Sequence, residues 1–302
     1  MSPDERVYVI FNPRSGKGRG ARFVVPVLDA LAAHGTVEHG LTTGPGDEAR
    51  LASEALARGF GTIVAVGGDG TWSNVANGIL KSGKSARLAL VAGGTGCDFA
   101  KTVGTPAQDV RASARVVLEG VARRVDVGRI EGRHFLNIAG FGYDIAVLED
   151  SWNVRWLNGD LRYVYCALRQ MRSYPGFHAS LALDDSPTRR RDLLMLIVAN
   201  ARHFGGAFRI APEADLADGR LDVVAFENLG FWQRPGLMGR LMRGTHAAGP
   251  GVRIERAARL RLAFEAPPAY ETDGEWRRAA EPTVTIESVP GALEVLVPPS
   301  AP

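Results

Sequence analysis

The sequence GGDGT, residues 67–71, surrounds one carboxylate with glycines. The apolar, β-branched run before it, residues 61–66, predicts a strand buried on both faces, and the residues after it can begin a helix. A glycine turn between a strand and a helix directs backbone N–H groups and the positive end of the helix dipole to one point, which favours a phosphate. Because a carboxylate repels a bare phosphate, Asp69 predicts a cation between the two.

A second glycine loop, residues 93–98 (GGTGCD), repeats this pattern with its own carboxylate, Asp98. It follows another short apolar run at residues 88–91, which predicts a buried strand. Each extra glycine costs conformational entropy on folding, so two such loops are expensive as simple connections. We therefore predict that both loops contribute to one phosphate site.

A third loop, residues 12–20, is rich in glycine and contains Lys17. It does not match the P-loop, since Phe11 stands where that motif requires its first glycine. It matches the dinucleotide fingerprint only partly, because four residues separate the predicted strand from Gly16. Two interpretations stay open from these residues alone: a loop whose amides and lysine bind phosphate, or a plain connection between a strand and a helix.

These loops supply what phosphoryl transfer requires, namely amides and cations around the phosphates and carboxylates that organise Mg²⁺ and its waters. The reaction also needs a carboxylate that orients or deprotonates the acceptor hydroxyl. The sequence Asp273-Gly274-Glu275 contains two candidates. From the residues alone, however, Asp-Gly favours a hairpin turn at this position.

Alternating strand and helix patterns over residues 7–119 predict a doubly wound, parallel α/β domain. The three glycine loops then lie at the carboxyl ends of its strands, where such sheets bind ligands. From about Val125 the chain becomes rich in strands, which indicates an antiparallel β-sandwich. We place the domain boundary between residues 127 and 128, giving an α/β domain, 1–127, and a β-sandwich domain, 128–302.

The composition narrows the function classes. The chain has 302 residues, is 45% hydrophobic and carries a net charge of +3, so nucleic acid is not an expected partner. No apolar run reaches the ~18–20 residues of a membrane span, and no secretory signal is visible. Two cysteines without a CxxC pattern fit a reducing compartment, which predicts a cytoplasmic protein.

The three loops resemble those of the diacylglycerol kinase catalytic family, which includes sphingosine and ceramide kinases and the bacterial soluble lipid kinases. The resemblance covers nearly the whole chain, in the order of the family. Beyond the loops it rests on motifs in the second half, at residues 140–144 (GFGYD), Asn200 with 204–206 (FGG), 211–212 (AP), 218–223 (DGRLDV) and 273–275 (DGE). GGDGT alone is shared with NAD kinases, and the motifs of the second half favour a lipid kinase.

The resemblance implies an N-terminal nucleotide domain and a C-terminal β-sandwich, with ATP and lipid meeting between them. It places the catalytic base in the D-G-E motif, at Asp273 or Glu275, and gives Asp69 a role in the chemistry. The implied ATP contacts are Asn12, Pro13, Arg14, Ser15, Gly16, Lys17, Thr42, Gly67, Gly68, Asp69, Gly70, Thr71, Trp72, Ser73 and Thr95, and we add Asp98 from its loop.

The resemblance also implies a structural Mg²⁺ by the turn at residues 218–222. Its ligands would be Asp218 and the backbone around Asp215 and Arg220. Two positions differ from the common pattern of the family. Trp72-Ser73-Asn74 replaces the more frequent aliphatic-Asn-Glu, and Cys97 stands where asparagine is usual.

We therefore predict a kinase that transfers the γ-phosphate of ATP, with Mg²⁺, to the hydroxyl of diacylglycerol. A ceramide or sphingoid-base kinase is the first alternative. An enzyme similar to NAD kinase, or a non-catalytic sensor of lipid or nucleotide, is the second. The candidate carboxylates are all present, which favours an enzyme.

An insoluble acceptor predicts peripheral contact with the inner face of the membrane. The sequence offers residues 230–243 as a docking helix, because Phe231, Trp232, Leu237 and Leu241 fall on one face with arginines nearby. Packing of this segment on the sandwich core is the alternative. A homodimer is a further expectation that the sequence leaves open.

Overall fold

The computed structural model describes residues 6–32, 35–94, 96–107, 109–154, 156–157 and 160–299. The chain divides into two compact units. The first contains Met1–Val127, Leu216–Asp218 and Val289–Pro302, and the second contains Gly128–Asp215 and Gly219–Ser288. This differs from the predicted domains in the last segment, because Glu294 and Val295 pair in parallel with Arg87 and Leu88 of the first unit.

The first unit alternates strands and helices as the sequence pattern predicts. Its elements are β1 (Val7–Phe11), α1 (Ser15–Gly18), α2 (Val24–Leu31), β2 (Val37–Leu41), α3 (Asp47–Ala57), β3 (Thr62–Gly67), α4 (Asp69–Ser82), β4 (Arg87–Ala92), α5 (Asp98–Val103) and α6 (Val110–Glu119), followed by the first part of β5 (Val121–Ile130).

The sheet of this unit is parallel, with strands in the order β2-β1-β3-β4. Alternate residues of β1, among them Val7, Val9 and Phe11, pack with Val27 of α2 and Val117 of α6 in one core cluster. α3 and α4 pack against each other. All residues of β1 and β3 are buried, which explains why both strands are apolar apart from Thr62 at the start of β3.

The second unit is dominated by strands. Its elements are β6 (Arg133–Phe135), β7 (Ile138–Gly142), α7 (Tyr143–Asn153), α8 (Asp160–Ser173), β8 (Phe177–Leu183), β9 (Arg189–Ala199), β10 (Leu221–Glu227), α9 (Arg234–Met242), β11 (Val252–Ala257), β12 (Arg259–Ala263), β13 (Ala269–Thr272) and β14 (Glu275–Arg278), with the first part of β15 (Thr283–Val297).

The strands of this unit pair antiparallel, and β9 lies at their centre. One edge of β9 pairs with β8 and then with β7, and its other edge pairs with β10. Leu196 and Val198 pack into one core cluster, whereas Ile197 packs into a second cluster with Phe226 of β10. β9 is therefore covered on both faces, and the predicted fold class, an α/β domain and an antiparallel β-sandwich, is confirmed.

The segment proposed from sequence as a docking helix packs into this unit, so that prediction is wrong for its helical part. Leu237 and Leu241 of α9 are buried in the second core cluster. Arg234 is also buried and donates to the backbone oxygens of Met171 and Tyr174, each at 2.9 Å. Across the described ranges, no helix is both long enough and apolar enough to cross a membrane.

Candidate active site

The three glycine loops come together at the carboxyl ends of the parallel strands. The amides of Gly93 and Gly94 both donate to the carbonyl oxygen of Gly67, at 2.8 and 3.0 Å. A Cβ atom at Gly94 would lie 2.5 Å from the Cα of Gly68. Only glycine permits this approach of the two backbones, so this contact explains one glycine of each tandem pair, Gly68 and Gly94.

The loop at residues 12–20 reaches the same place through Gly16. This residue has a φ of +57°, and a Cβ atom there would lie 2.4 Å from the carbonyl oxygen of Gly93. The next residue, Lys17, also has a positive φ, of 62°, and is exposed. This bent backbone is the structural reason for the glycine pattern, and it favours the phosphate-loop interpretation over a plain connection.

The side chain of Asn12 joins the loop at residues 12–20 to the loop at residues 67–71. Its Nδ2 donates to Thr71 Oγ1 at 3.0 Å and to Glu48 Oε1 at 3.3 Å, and its Oδ1 accepts from the amide of Arg14 at 3.0 Å. Glu48 is buried in the first turn of α3. Sequence reasoning missed Glu48, since only the fold brings it to Asn12.

Asp69 connects the loop at residues 67–71 to the loop at residues 93–98. Its Oδ2 accepts from the amide of Asp98 at 3.0 Å, and its Oδ1 accepts from the amide of Phe99 at 2.9 Å. These are the first amides of α5, so Asp69 caps this helix from a distant part of the chain. Asp98 is itself buried and forms an ion pair with Lys101 at 2.9 Å.

Two predicted nucleotide contacts need correction. The Trp72 side chain is fully buried, and its Nε1 donates to the carbonyl oxygen of Ala65 at 3.1 Å, so it packs α4 on β3. Ser73 is also buried in α4. Neither side chain is available to a nucleotide in this arrangement. Both follow the Gly-rich turn directly, and one helical turn is enough to direct them into the core.

The other predicted nucleotide contacts of the first unit lie on the loops or beside them. Thr42 follows β2, and its amide donates to Phe11 at the end of the neighbouring strand, at 2.9 Å. Pro13, Ser15 and Gly70 lie in the loops themselves. Thr95 lies outside the described residues.

The D-G-E turn connects β13 and β14 in the second unit, and Asp273 holds it in place. Asp273 Oδ1 accepts from the amides of Asn137 and Ile138, at 2.8 and 3.1 Å, and Oδ2 accepts from the amide of Leu136 at 2.8 Å. The carboxylate is buried, and its residue has a φ of +50°. These three amides give Asp273 a positioning role.

Glu275 is the more accessible carboxylate of this turn. Its Oε2 accepts from Arg133 and from Arg277, each at 2.8 Å, and about a third of its side chain is exposed (34%). Burial lowers the pKa of Arg133, and the charge of Glu275 opposes that shift. Two guanidinium groups thus fix the orientation of Glu275, which makes it the better placed candidate for a base.

The predicted metal ligands lie in the loop before β10. Asp215, Asp218 and Arg220 are all exposed. Among the described residues there is no group of three or more His, Cys, Asp or Glu side chains placed to hold a metal. The implied site does not require one, because it combines a single carboxylate with backbone carbonyl oxygens, which are donors that suit Mg²⁺.

A buried pair of carboxyl groups, missed by sequence reasoning, lies in the second unit near the D-G-E turn. Asp144 is at the start of α7, and Glu271 lies two residues before Asp273 on β13, opposite Gly140 of β7. Both side chains lie against Gly140 and their carboxyl groups are buried, and two neighbouring carboxyl groups away from water favour a state in which one of them holds a proton. Burial raises the pKa of Asp144 to about 6, and burial together with Asp144 raises the pKa of Glu271 well above its usual value.

This pair predicts a pH dependence of stability. Because the pKa of folded Asp144 lies above its ordinary 3.8, the native state binds more protons than the unfolded chain between about pH 4 and 6. The stabilising contribution of the protonated pair is present below that range and is lost as the pH rises through about 6. The negative charge of Asp273 near Glu271 also raises the pKa of Glu271.

Asp144→Asn keeps the shape of the side chain and removes its charge. We expect the unsubstituted protein to lose about 2 kcal/mol of unfolding free energy between pH 4 and pH 8, and we expect Asp144→Asn to avoid this loss. Denaturant unfolding at both pH values measures this. The exposed Asp185→Asn is the matched control and should change nothing. Equal pH slopes for Asp144→Asn and the unsubstituted protein would show that the pair does not share a proton.

The chain combines a parallel α/β unit, in which three glycine loops converge, with an antiparallel sandwich that carries a D-G-E turn. This combination defines a class of kinases. The family profile described as "Diacylglycerol kinase catalytic domain" matches residues 6–130. The profile described as "YegS C-terminal NAD kinase beta sandwich-like domain" matches residues 137–297, more than half of the chain. The chain belongs to the kinase family that these two profiles describe, and it is a lipid kinase.

Individual proteins agree with this assignment. A YegS-like lipid kinase of Pseudomonas aeruginosa is 32% identical over 265 residues, which cover 85% of this chain and 83% of that protein. The diacylglycerol kinase of Bacillus subtilis is 29% identical over 282 residues, 90% of each chain. The crystal structure of a diacylglycerol kinase from Bacillus anthracis has a TM-score of 0.78 at 22% identity and covers all of both chains, which supports the fold.

Proposed function

We propose that this lipid kinase transfers the γ-phosphate of ATP, in the presence of Mg²⁺, to the hydroxyl of diacylglycerol. The observation that carries the proposal is the convergence of the three glycine loops, joined by Asp69 and the carbonyl oxygen of Gly67. The diacylglycerol acceptor is supported by the names of relatives such as the Bacillus subtilis enzyme.

On the donor side, the loops bind and orient the phosphates of the nucleotide. Backbone amides at positions of left-handed or tight backbone, such as Gly16 and Lys17, are suited to phosphate oxygens. The exposed ammonium group of Lys17 adds positive charge. Fixed donors of this kind stabilise the charge that spreads over the transferred phosphoryl group, which is the main contribution of a protein to this reaction.

On the acceptor side, Glu275 receives the proton of the lipid hydroxyl. The hydroxyl oxygen forms a bond to the γ-phosphorus while the bond from that phosphorus to the bridging oxygen of ADP breaks. Arg133 and Arg277 hold Glu275 in one orientation during this transfer. Asp273 positions the turn through three backbone amides and takes no proton.

Asp218 and the backbone around Asp215 and Arg220 would hold the structural Mg²⁺, which supplies positive charge that fixes this loop. We expect Asp218→Asn to raise the Mg²⁺ concentration needed for half-maximal activity by about tenfold, because a hard cation prefers a charged oxygen ligand. Mg²⁺ titrations of activity and of thermal stability measure this shift. Asp215→Asn is the matched control, since Asp215 contributes only its backbone; identical titrations for all three proteins would remove Asp218 from the site.

The acceptor is tested with purified protein, ATP and Mg²⁺, offering diacylglycerol, ceramide, sphingosine and NAD in turn. We expect phosphate transfer to diacylglycerol at the highest kcat/KM. Faster transfer to ceramide or sphingosine would show that diacylglycerol is not the preferred acceptor, and the protein would still be a lipid kinase. Transfer to NAD alone would contradict the proposal.

We further propose that the protein acts in the cytoplasm and reaches its substrate by peripheral contact with the inner face of the membrane. A diacylglycerol molecule stays in the bilayer, so the acceptor site has to reach the surface of the membrane. No nucleic-acid partner is proposed. The chain carries a modest net charge of +3, which gives no reason to expect one.

A further inference from the structure

The exposed large apolar side chains of the second unit concentrate in one segment, residues 152–168. We call six of them the aromatic face: Trp152, Trp156, Leu161, Val164, Tyr165 and Leu168. Trp156 and Leu161 are each 69% exposed, and Leu168 is 62% exposed. Single exposed apolar residues are ordinary, but a contiguous group of this kind marks an interaction surface.

The helix α8 presents this face because of its residue spacing. Leu161, Tyr165 and Leu168 are separated by four and three residues, so they form one stripe along the helix, and Val164 lies beside it. Trp156 packs on Tyr165 with ring centroids 5.2 Å apart. The rest of the helix is held by the protein, since Cys166 is buried and Tyr143 Oη donates to the carbonyl oxygen of Ala167 at 2.6 Å.

The aromatic face begins beside the D-G-E turn. Trp276, the residue after Glu275, donates from Nε1 to Glu149 of α7 at 3.0 Å. Its ring meets that of Trp152 edge to face at 5.5 Å. A molecule that covers the aromatic face therefore also lies next to the turn that carries the candidate base.

The charge around this face indicates what covers it. Residues 161–173 include Arg162, Arg169 and Arg172 and no acidic residue. Arg169 forms an ion pair with the buried Asp150 of α7, so Arg162 and Arg172 are the arginines that supply positive charge beside the aromatic face. Arg172 continues the stripe toward the end of the helix, four residues after Leu168, and Arg278 lies over the Trp276 ring at 5.7 Å. Tryptophan, tyrosine and leucine bordered by arginine suit the boundary between anionic headgroups and acyl chains.

We propose that the aromatic face docks on an anionic lipid bilayer and brings the acceptor lipid to the D-G-E turn. This inference rests on the lipid acceptor proposed above. It replaces the surface predicted from residues 230–243, whose helix packs its leucines into the core. Trp232, which is 89% exposed, lies next to Phe231, and Arg172 stacks over Phe231 at 5.8 Å, so this part of the earlier candidate borders the aromatic face.

The test uses Leu161→Glu combined with Leu168→Glu in the full chain, since both side chains are exposed and their replacement should leave folding intact. Vesicles of phosphatidylcholine with phosphatidylglycerol, without any substrate lipid, serve as the probe in a co-sedimentation assay. We expect vesicle affinity to fall by about tenfold or more, because apolar burial and attraction to anionic lipid both weaken. Activity on diacylglycerol in vesicles should fall in parallel, and activity on a short-chain, water-dispersed diacylglycerol should stay unchanged.

The matched control is Val25→Glu combined with Val121→Glu, which adds the same charge at exposed apolar positions of the first unit and should bind vesicles normally. A second variant, Arg162→Gln with Arg172→Gln, should remove the preference for phosphatidylglycerol over pure phosphatidylcholine. If thermal melting shows that the glutamate variant is unfolded, Leu161→Ser with Leu168→Ser takes its place.

The outcomes separate this inference from the proposed function. Unchanged vesicle binding by the glutamate and arginine variants overturns the docking surface. A change of molecular mass in light scattering, without loss of vesicle binding, identifies a second copy of the chain as the occupant and also overturns it. If the glutamate variant loses vesicle binding and the unsubstituted protein phosphorylates no diacylglycerol, the docking surface is supported and the proposed acceptor is wrong.

Discussion

Replacing Glu275 by glutamine is expected to lower kcat by about 10²–10⁴-fold while nucleotide affinity stays close to that of the unsubstituted protein. Glutamine keeps the shape of the side chain and accepts hydrogen bonds from Arg133 and Arg277, but it cannot take a proton from the lipid hydroxyl. Steady-state kinetics on a short-chain diacylglycerol, together with a direct measurement of nucleotide binding, separates the chemical step from binding.

The matched control for this prediction is Glu227→Gln. Glu227 lies in the same unit, forms an ion pair with Arg253 at 3.1 Å and is 40% exposed, close to the 34% of Glu275. A surface ion pair contributes at most about 1 kcal/mol to stability, so Glu227→Gln should stay folded and keep its activity. If Glu275→Gln loses stability and nucleotide binding in proportion to its activity, the turn is structural and the base has to be sought elsewhere.

Asp273→Asn provides the contrast within the D-G-E turn. An asparagine has one carbonyl oxygen, whereas Asp273 accepts three amides with two oxygens. The side-chain NH₂ would then face a backbone donor, which leaves buried polar groups unsatisfied. Stability and activity should fall together in this variant. Asp273 and Glu275 therefore have different expected roles, positioning of the turn and proton transfer, and their spacing in the sequence does not reveal this difference.

The sequence predicts most of the first unit because the relevant signals are local. The strand β1 coincides with the predicted run at residues 7–11, and the three glycine loops lie where the parallel strands end. A doubly wound sheet places such loops at one edge whatever the details of packing. The contacts that depend on distant residues were not predictable, and Glu48 and the pair of Asp144 with Glu271 belong to this group.

In three elements the local sequence signal is absent or misleading. The start of α7 has no sequence signal, because its N-cap is Gly142, with a φ of +102° and no side-chain hydrogen bond. β15 continues through Val297, although Pro290-Gly291 within it is typical of a turn. The arginines at 189–191 form a charged run of the kind expected at a solvated turn, yet they begin β9, where they pair with β8.

The docking surface shows why an amphipathic pattern alone is ambiguous. Residues 234–242 and α8 both place apolar and basic side chains at helical spacing. Burial separates them, since Leu241 lies in the core and Leu168 is exposed. Arg234 is the decisive residue in the first segment, because a guanidinium that donates to backbone carbonyls inside the protein cannot also serve the membrane surface.

Replacing Asp69 by alanine is expected to lower kcat/KM for ATP by about 10²-fold or more, because small misplacements of positioned groups cost this much in an organised site. The structure gives the mechanism. Without the carboxylate, the amides of Asp98 and Phe99 lose their acceptor, and the loop at residues 93–98 is no longer fixed to the loop at residues 67–71. Steady-state kinetics with ATP as the varied substrate measures the loss.

The stability of this variant should also fall, by about 1 kcal/mol, as expected for a lost helix cap. Asp109→Ala provides the matched control, since Asp109 caps α6 in the same unit and accepts from the amide of Ala112 at 2.9 Å. That variant should lose similar stability and keep its activity, because α6 carries none of the three loops. Activity of Asp69→Ala within about threefold of the unsubstituted protein, a barrier change below ~1 kcal/mol, would mean that Asp69 is only a helix cap.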